Sequence, residues 1–70
     1  MMELEISEAP IELYRVLKLA SLVESGGEAK HAISGGRVTV NEAVETRKRK
    51  KIFDRDIVAL DGKAICVKVR

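Results

Sequence analysis

Five consecutive side chains, Arg47, Lys48, Arg49, Lys50 and Lys51, carry positive charge. A small domain cannot bury such a block, because each desolvated charge costs several kcal/mol unless it is paired. The run must therefore lie at the surface, where solvent or a polyanion relieves its self-repulsion. Two readings stand side by side: a solvated loop, or a patch that binds phosphates. The rest of the chain offers little cover. Its 70 residues suffice for one domain spanning residues 1–70, and a chain of that size hides only about 60% of the surface its unfolded form exposes. With 46% apolar and 34% charged residues, the composition is that of a globular domain.

The net charge of +2 conceals a polarity. Residues 1–29 carry six acids (Glu3, Glu5, Glu8, Glu12, Glu24, Glu28) against Arg15 and Lys18, a net of −4. Residues 30–70 carry eleven bases against five acids, a net of +6. The basic half suits a polyanion. The acidic N-terminal face suggests the rival reading, a protein-interaction adaptor that docks a basic partner on Glu3, Glu5, Glu8 and Glu12.

Several function classes fall away. The chain has no room for a large α/β enzyme with a cofactor crevice. It has no Ser-His-Asp set, no paired-acid cluster and no P-loop, so neither catalysis nor a cofactor is expected. His31 has no second His or nearby Cys, which argues against a metal. The single Cys66 cannot form an internal disulfide, and no export signal is visible, so a reducing, cytoplasmic setting is expected. No stretch of ten apolar residues occurs, which argues against a membrane-spanning helix. Tyr14 and Phe53 are the only aromatics and read as packing residues. Recognition by stacking bases on an aromatic platform is therefore not expected.

Along the chain, Met2-Glu3-Leu4-Glu5-Ile6 alternates apolar and acidic residues, which predicts a short half-buried strand. Pro10 marks a helix start, and Leu13, Val16, Leu17 and Ala20 keep to one helix face, predicting a helix over about 10–19. Ser25-Gly26-Gly27-Glu28 matches a capping box, with Ser25 and Glu28 each satisfying the other's backbone N–H. A second helix over about 26–34 follows, with Ala29, Ala32 and Ile33 inward and Lys30 and Ser34 together on the outer face. Gly35-Gly36 ends it. Everything after Gly36 reads as β: Val38 to Val40, a turn at Asn41-Glu42, then Val44, Ile52-Phe53 and Ile57 to Leu60. Asp61-Gly62 is a type I′ hairpin signal before the last strand, Lys63–Val69. The expected fold is α+β: a short N-terminal strand, two packed helices, then a small antiparallel β-sheet.

The segment SGGEAKHAISGGRVTVN, Ser25 to Asn41, resembles the RNA-binding domain named after ribosomal protein S4, also called the alpha-L motif. Ser25, Ala29, Lys30, Ile33, Gly36, Val38, Val40 and Asn41 stand at the family spacing, and the likeness extends over about residues 10–60. The chain resembles the family's small stand-alone bacterial members. The chain departs from the pattern at the head of the first helix, where Ile11-Glu12-Leu13 replaces Arg-Leu-Asp. Gly26 replaces an Arg, and Glu42 and Arg55 each replace a Gly.

The resemblance implies non-catalytic binding of structured RNA, ribosomal or transfer RNA. Nothing in the sequence demands a dimer, so a monomer is expected, with ribosome-associated proteins as further partners. The expected contact residues are Lys30, Arg37, Asn41 and Arg47 to Lys51, with backbone donors from Ser25, Gly26 and Gly27. A-form RNA is read largely through shape, phosphates and 2′-hydroxyls, so such a surface needs Lys and Arg on a rigid frame. Arg37, Arg47 and Arg49 suit forked phosphate contacts, while the lysines act as point charges. Asn41 also has a local role, because it tolerates left-handed turn geometry. Were Arg47–Lys51 extended, alternate side chains would point apart.

Overall fold

In the computed structural model, which describes residues 1–70, the N-terminal alternation forms strand β1 (Met2–Ile6). Ile6 is buried and Leu4 half-buried, while Glu3 and Glu5 face solvent. The next element corrects the proline signal. Helix α1 runs Leu13–Leu19, and Ile11–Glu12 before it is a short strand, β2. The competitor that wins is tertiary. Ile11 and Glu12 pair antiparallel with Ile52 and Lys51 of strand β5 (Lys51–Ile52) in a separate two-stranded ribbon. Pro10, fixed in φ and lacking an N–H, fits a strand entry as well as a helix start.

Helix α2 (Gly26–Ser34) has the expected bounds. Ser25 Oγ accepts the Glu28 N–H at 3.1 Å, but the return bond from the Glu28 carboxylate does not form. The C-terminus closes as a Schellman motif. The Gly36 N–H donates to the Ile33 carbonyl and the Arg37 N–H to that of Ala32, both at 3.1 Å. Gly36 takes the left-handed φ of 77° that this ending requires.

Strands β3 (Val38–Val40), β4 (Ala43–Val44), β6 (Ile57–Leu60) and β7 (Lys63–Val69) make the expected antiparallel sheet. Two-residue turns at Asn41-Glu42 and Asp61-Gly62, with positive φ at all four positions, join β3 to β4 and β6 to β7. β1 then adds to β7 in parallel, giving a five-stranded mixed sheet in the order β1-β7-β6-β3-β4.

The sheet's inward residues stack across strands, with Val38 opposite Leu60, Val58 opposite Ile65 and Leu4 opposite Val67. They meet Leu13, Val16 and Leu17 of α1 and Ala29, Ala32 and Ile33 of α2 in one core of 16 buried residues, all apolar. The small alanines of α2 let the helix approach closely. Phe53 does not join this core: it is 52% exposed, because the chain leaves β5 into a surface turn there. No helix is long and apolar enough to cross a membrane.

Candidate nucleic-acid interface

The basic run is a turn and not an extended strand. The Lys50 N–H donates to the Arg47 carbonyl at 3.1 Å, and only Lys51 enters β5. The side chains therefore curl around a common hollow instead of alternating between faces. All five line a concavity of about 760 Å³, together with Thr46 and with Lys30 and Ser34 of α2. No apolar residue lines it.

Like charges hold this shape because the backbone beneath them is tied down. The first N–H groups of α1 would otherwise lack partners. Leu13 N–H donates to the Lys50 carbonyl at 2.9 Å and Tyr14 N–H to the Lys48 carbonyl at 3.1 Å. The β2–β5 pairing fixes Lys51. Two carboxylates neutralise two of the bases. Glu12 meets Arg49 at 2.9 Å, and Glu45 takes the Arg47 guanidinium on both oxygens at 3.0 and 3.2 Å. The Arg47 side-chain and backbone hydrogen bonds pull the Glu45 carboxyl from 4.5 to about 2. The same pairing raises the Arg47 guanidinium.

Lys30, Lys48, Lys50 and Lys51 have no carboxylate partner and give the concavity its excess positive charge. Lys30 Nζ instead lies over the Tyr14 ring, 5.4 Å from its centre. Tyr14 is thus more than packing, which its lone position in the sequence did not reveal.

The other expected contacts are distributed differently. Ser25 caps α2 and Gly26 and Gly27 begin it, one turn before Lys30. A Cβ at Gly26 would lie 3.7 Å from Lys18 Cδ, so the Lys18 stem runs past this end of the helix. Arg37 is not brought to the basic concavity. Its Nε donates to Asp61 Oδ1 at 3.2 Å and its Nη2 binds Oδ2, beside a second, smaller hollow. That contact lowers the Asp61 carboxyl and raises the Arg37 guanidinium. Asn41, at φ 50°, holds two turns together. Its Oδ1 accepts the Ile57 N–H at 2.9 Å, and its Nδ2 donates to Asp56 Oδ1 at 3.1 Å.

The acidic face is largely neutralised within the chain. Glu3 meets Lys68 at 2.9 Å, Glu5 meets Arg70 at 3.7 Å, and Glu12 is held by Arg49. Only Glu8 of that set lacks a basic partner.

Sequence reasoning missed Thr46, Tyr14, Lys18 and Glu45. Glu45, two residues before the run, was legible only as an acid beside bases. Its bidentate grip depends on where the β3–β4 hairpin ends.

Comparison with known proteins identifies the family and the fold. The family model described as S4 domain matches residues 4–68. YbcJ of Escherichia coli is 47% identical over 57 residues, covering 81% of each chain. The Bacillus subtilis protein named "Probable ribosome maturation protein RlbA" is 36% identical over 59 residues, 84% of this chain and 83% of its own. The solution structure of E. coli YbcJ, described as revealing an alfaL motif involved in RNA-binding, superposes with a TM-score of 0.77 at 41% identity. That match covers 99% of this chain and 89% of the other. Ribosomal protein S4e of Thermoplasma acidophilum shares the fold alone, with a TM-score of 0.59 at 19% identity over 80% of this chain and 29% of its own. The family match spans both helices and most of the sheet, and the chain belongs to the S4 domain family.

Proposed function

We propose that this protein binds structured RNA, ribosomal or transfer RNA, without catalysis, through the concavity between α2 and the Arg47–Lys51 turn. The observation that carries this reading is that concavity itself. Six basic side chains converge there, with no apolar residue among those lining it, on a backbone pinned to the start of α1. A rigid, cationic, curved surface matches a phosphate backbone presented in a fixed shape better than it matches a flexible strand or an apolar ligand. The relatives support the same reading: the YbcJ motif is described as involved in RNA-binding, and the name of RlbA refers to ribosome maturation. The protein would act as a cytoplasmic monomer, with ribosome-associated proteins as secondary partners.

The test is a salt titration of binding to folded ribosomal-RNA and transfer-RNA fragments. Each phosphate contact should contribute about −0.9 to the log–log slope where the RNA is duplex-like. The triple variant Lys30→Ala, Lys48→Ala, Lys50→Ala should stay folded, bind far more weakly and show a shallower slope. Absence of binding by the folded native chain at low salt would refute the reading and return attention to Glu8 and the N-terminal face.

A further inference from the structure

The carboxylate of Glu45 belongs to the hairpin and acts on the turn. Its backbone N–H donates to the Val38 carbonyl at 3.0 Å, which fixes Glu45 to β3. Its side chain reaches forward two residues. Oε2 accepts both the Arg47 backbone N–H and the Arg47 Nε–H at 3.0 Å, and Oε1 accepts from Nη2 at 3.2 Å. Among the ion-paired side chains Glu45 is the least exposed, at 15%, while its partner Arg47 is 71% exposed. A guanidinium has five N–H donors. Two are spent on Glu45, and the others are held in a set direction toward solvent at the rim of the basic concavity. Arg47 is also the residue whose carbonyl closes the turn by accepting the Lys50 N–H.

We propose that Glu45 is a positioning residue for RNA binding: by gripping Arg47 at backbone and side chain, it sets the start of the 47–50 turn and aims the bases that follow. This rests on the function proposed above. It makes an unexpected demand of sign. Glu45 is an acid within a cationic surface, and simple electrostatics says that removing it raises the positive charge, tightens RNA binding and steepens the salt dependence. Positioning says the opposite. Without Glu45, Arg47 and the turn lose a shared orientation, and the entropy of ordering them falls on the binding step.

The experiment measures Kd for a fluorescein-labelled ribosomal-RNA hairpin across a salt series. It compares the native chain, Glu45→Gln, Glu45→Ala, Arg47→Ala and the Glu45→Ala/Arg47→Ala double variant, with circular dichroism as the check of fold. Glu45→Ala should bind about tenfold more weakly despite its added net charge. Glu45→Gln keeps one oxygen for the Arg47 N–H and should fall between the two. The loss should shrink in the Arg47→Ala background, where the two guanidinium bonds to Glu45 are already gone and only the one from the backbone N–H remains. Equal or tighter binding by both Glu45 variants would reduce Glu45 to a counterion and overturn the proposal. So would a loss that persists undiminished when Arg47 is already alanine. Should the alanine variant unfold, the glutamine variant decides by the same criterion. If the native chain binds no RNA, the functional reading fails first and takes this role with it. If the native chain binds and the Glu45 variants match it, only the role of Glu45 fails.

Discussion

The ammonium group of Lys30 lies 5.4 Å from the centre of the Tyr14 ring, which couples the outer face of α2 to the first turn of α1. The ring holds a cation that has no carboxylate partner, at the edge of a surface otherwise controlled by hydrogen bonds. Replacing Tyr14 by leucine keeps an apolar body in the half-buried site and removes the π-face. A cation–π contact at an exposed site is worth about 0.5–1 kcal/mol, so Tyr14→Leu should weaken RNA binding about two- to fivefold. Fluorescence anisotropy with a structured RNA would read this directly, and an unchanged Kd would deny the ring any part in placing Lys30.

Two turns carry side chains where the backbone favours glycine. Glu42 has φ 72° and Arg55 has φ 70°, and both stand where the family pattern has Gly. A left-handed non-glycine residue costs about 1 kcal/mol. Glu42→Gly and Arg55→Gly should therefore each raise Tm, by about 4–8 °C for a domain of this size. Thermal unfolding followed by circular dichroism checks it, and a lowered Tm in both would show that side-chain contacts outweigh the backbone term.

Acid should loosen the basic turn. The Glu45 carboxyl is pulled from 4.5 to about 2 by its bonds to Arg47, and Asp61 is lowered by Arg37. A group depressed on folding stabilises the native state above its unfolded value, and that contribution disappears as pH falls through the folded value. Stability should hold above about pH 4.5 and decline toward pH 2. In Glu45→Gln the slope across that window should be shallower. Urea titrations at stepped pH would measure the difference, and identical slopes would deny Glu45 its part in acid sensitivity.

Arg37 and Lys50 should separate cleanly in binding. Arg37 is engaged with Asp61, away from the basic concavity, whereas Lys50 lines that concavity without a carboxylate partner. Lys50→Ala should weaken RNA binding and lower the salt slope by about 0.9, the value for one phosphate contact. Arg37→Ala should leave the slope near the native one. A slope lowered equally by both would place Arg37 on the RNA surface after all.

The core leaves little margin. Leu17 is fully buried between the helices and the sheet. Leu17→Ala should cost about 2–5 kcal/mol, against a total of about 3.5–10 kcal/mol for a domain of this length. Denaturant unfolding should show the midpoint falling steeply, with partial unfolding near 37 °C.

Local signals read correctly where the deciding interaction was local, apart from the Glu28 half of the capping box. Ser25 to Gly36 carried its own cap, apolar face and glycine ending, and α2 has the expected bounds. Asp61-Gly62 specified its turn through backbone preference alone, and the hairpin formed there. The misses share a cause. Pro10 looked like a helix start because nothing nearby announces that Ile11 will pair with Ile52, forty-one residues away. Arg47–Lys51 gave its charge but not its curvature, since the turn is held in part by the N–H groups of the distant Leu13 and Tyr14. Arg37 looked available for RNA because its partner Asp61 is brought near only by the pairing of β3 with β6.

The parallel pairing of β1 with β7 has a consequence for how this protein comes into being. Each residue of β1 meets one made sixty-three positions later, from Met2 with Ile65 to Ile6 with Val69. During synthesis the first strand is made before its partner, and it cannot pair with β7 until that strand follows. Its alternating glutamates keep that waiting strand soluble and discourage it from pairing with a neighbouring nascent chain. When β7 arrives, Lys68 and Arg70 bring the countercharges for Glu3 and Glu5. The acids that guard the strand while it waits are the ones that fasten it afterward.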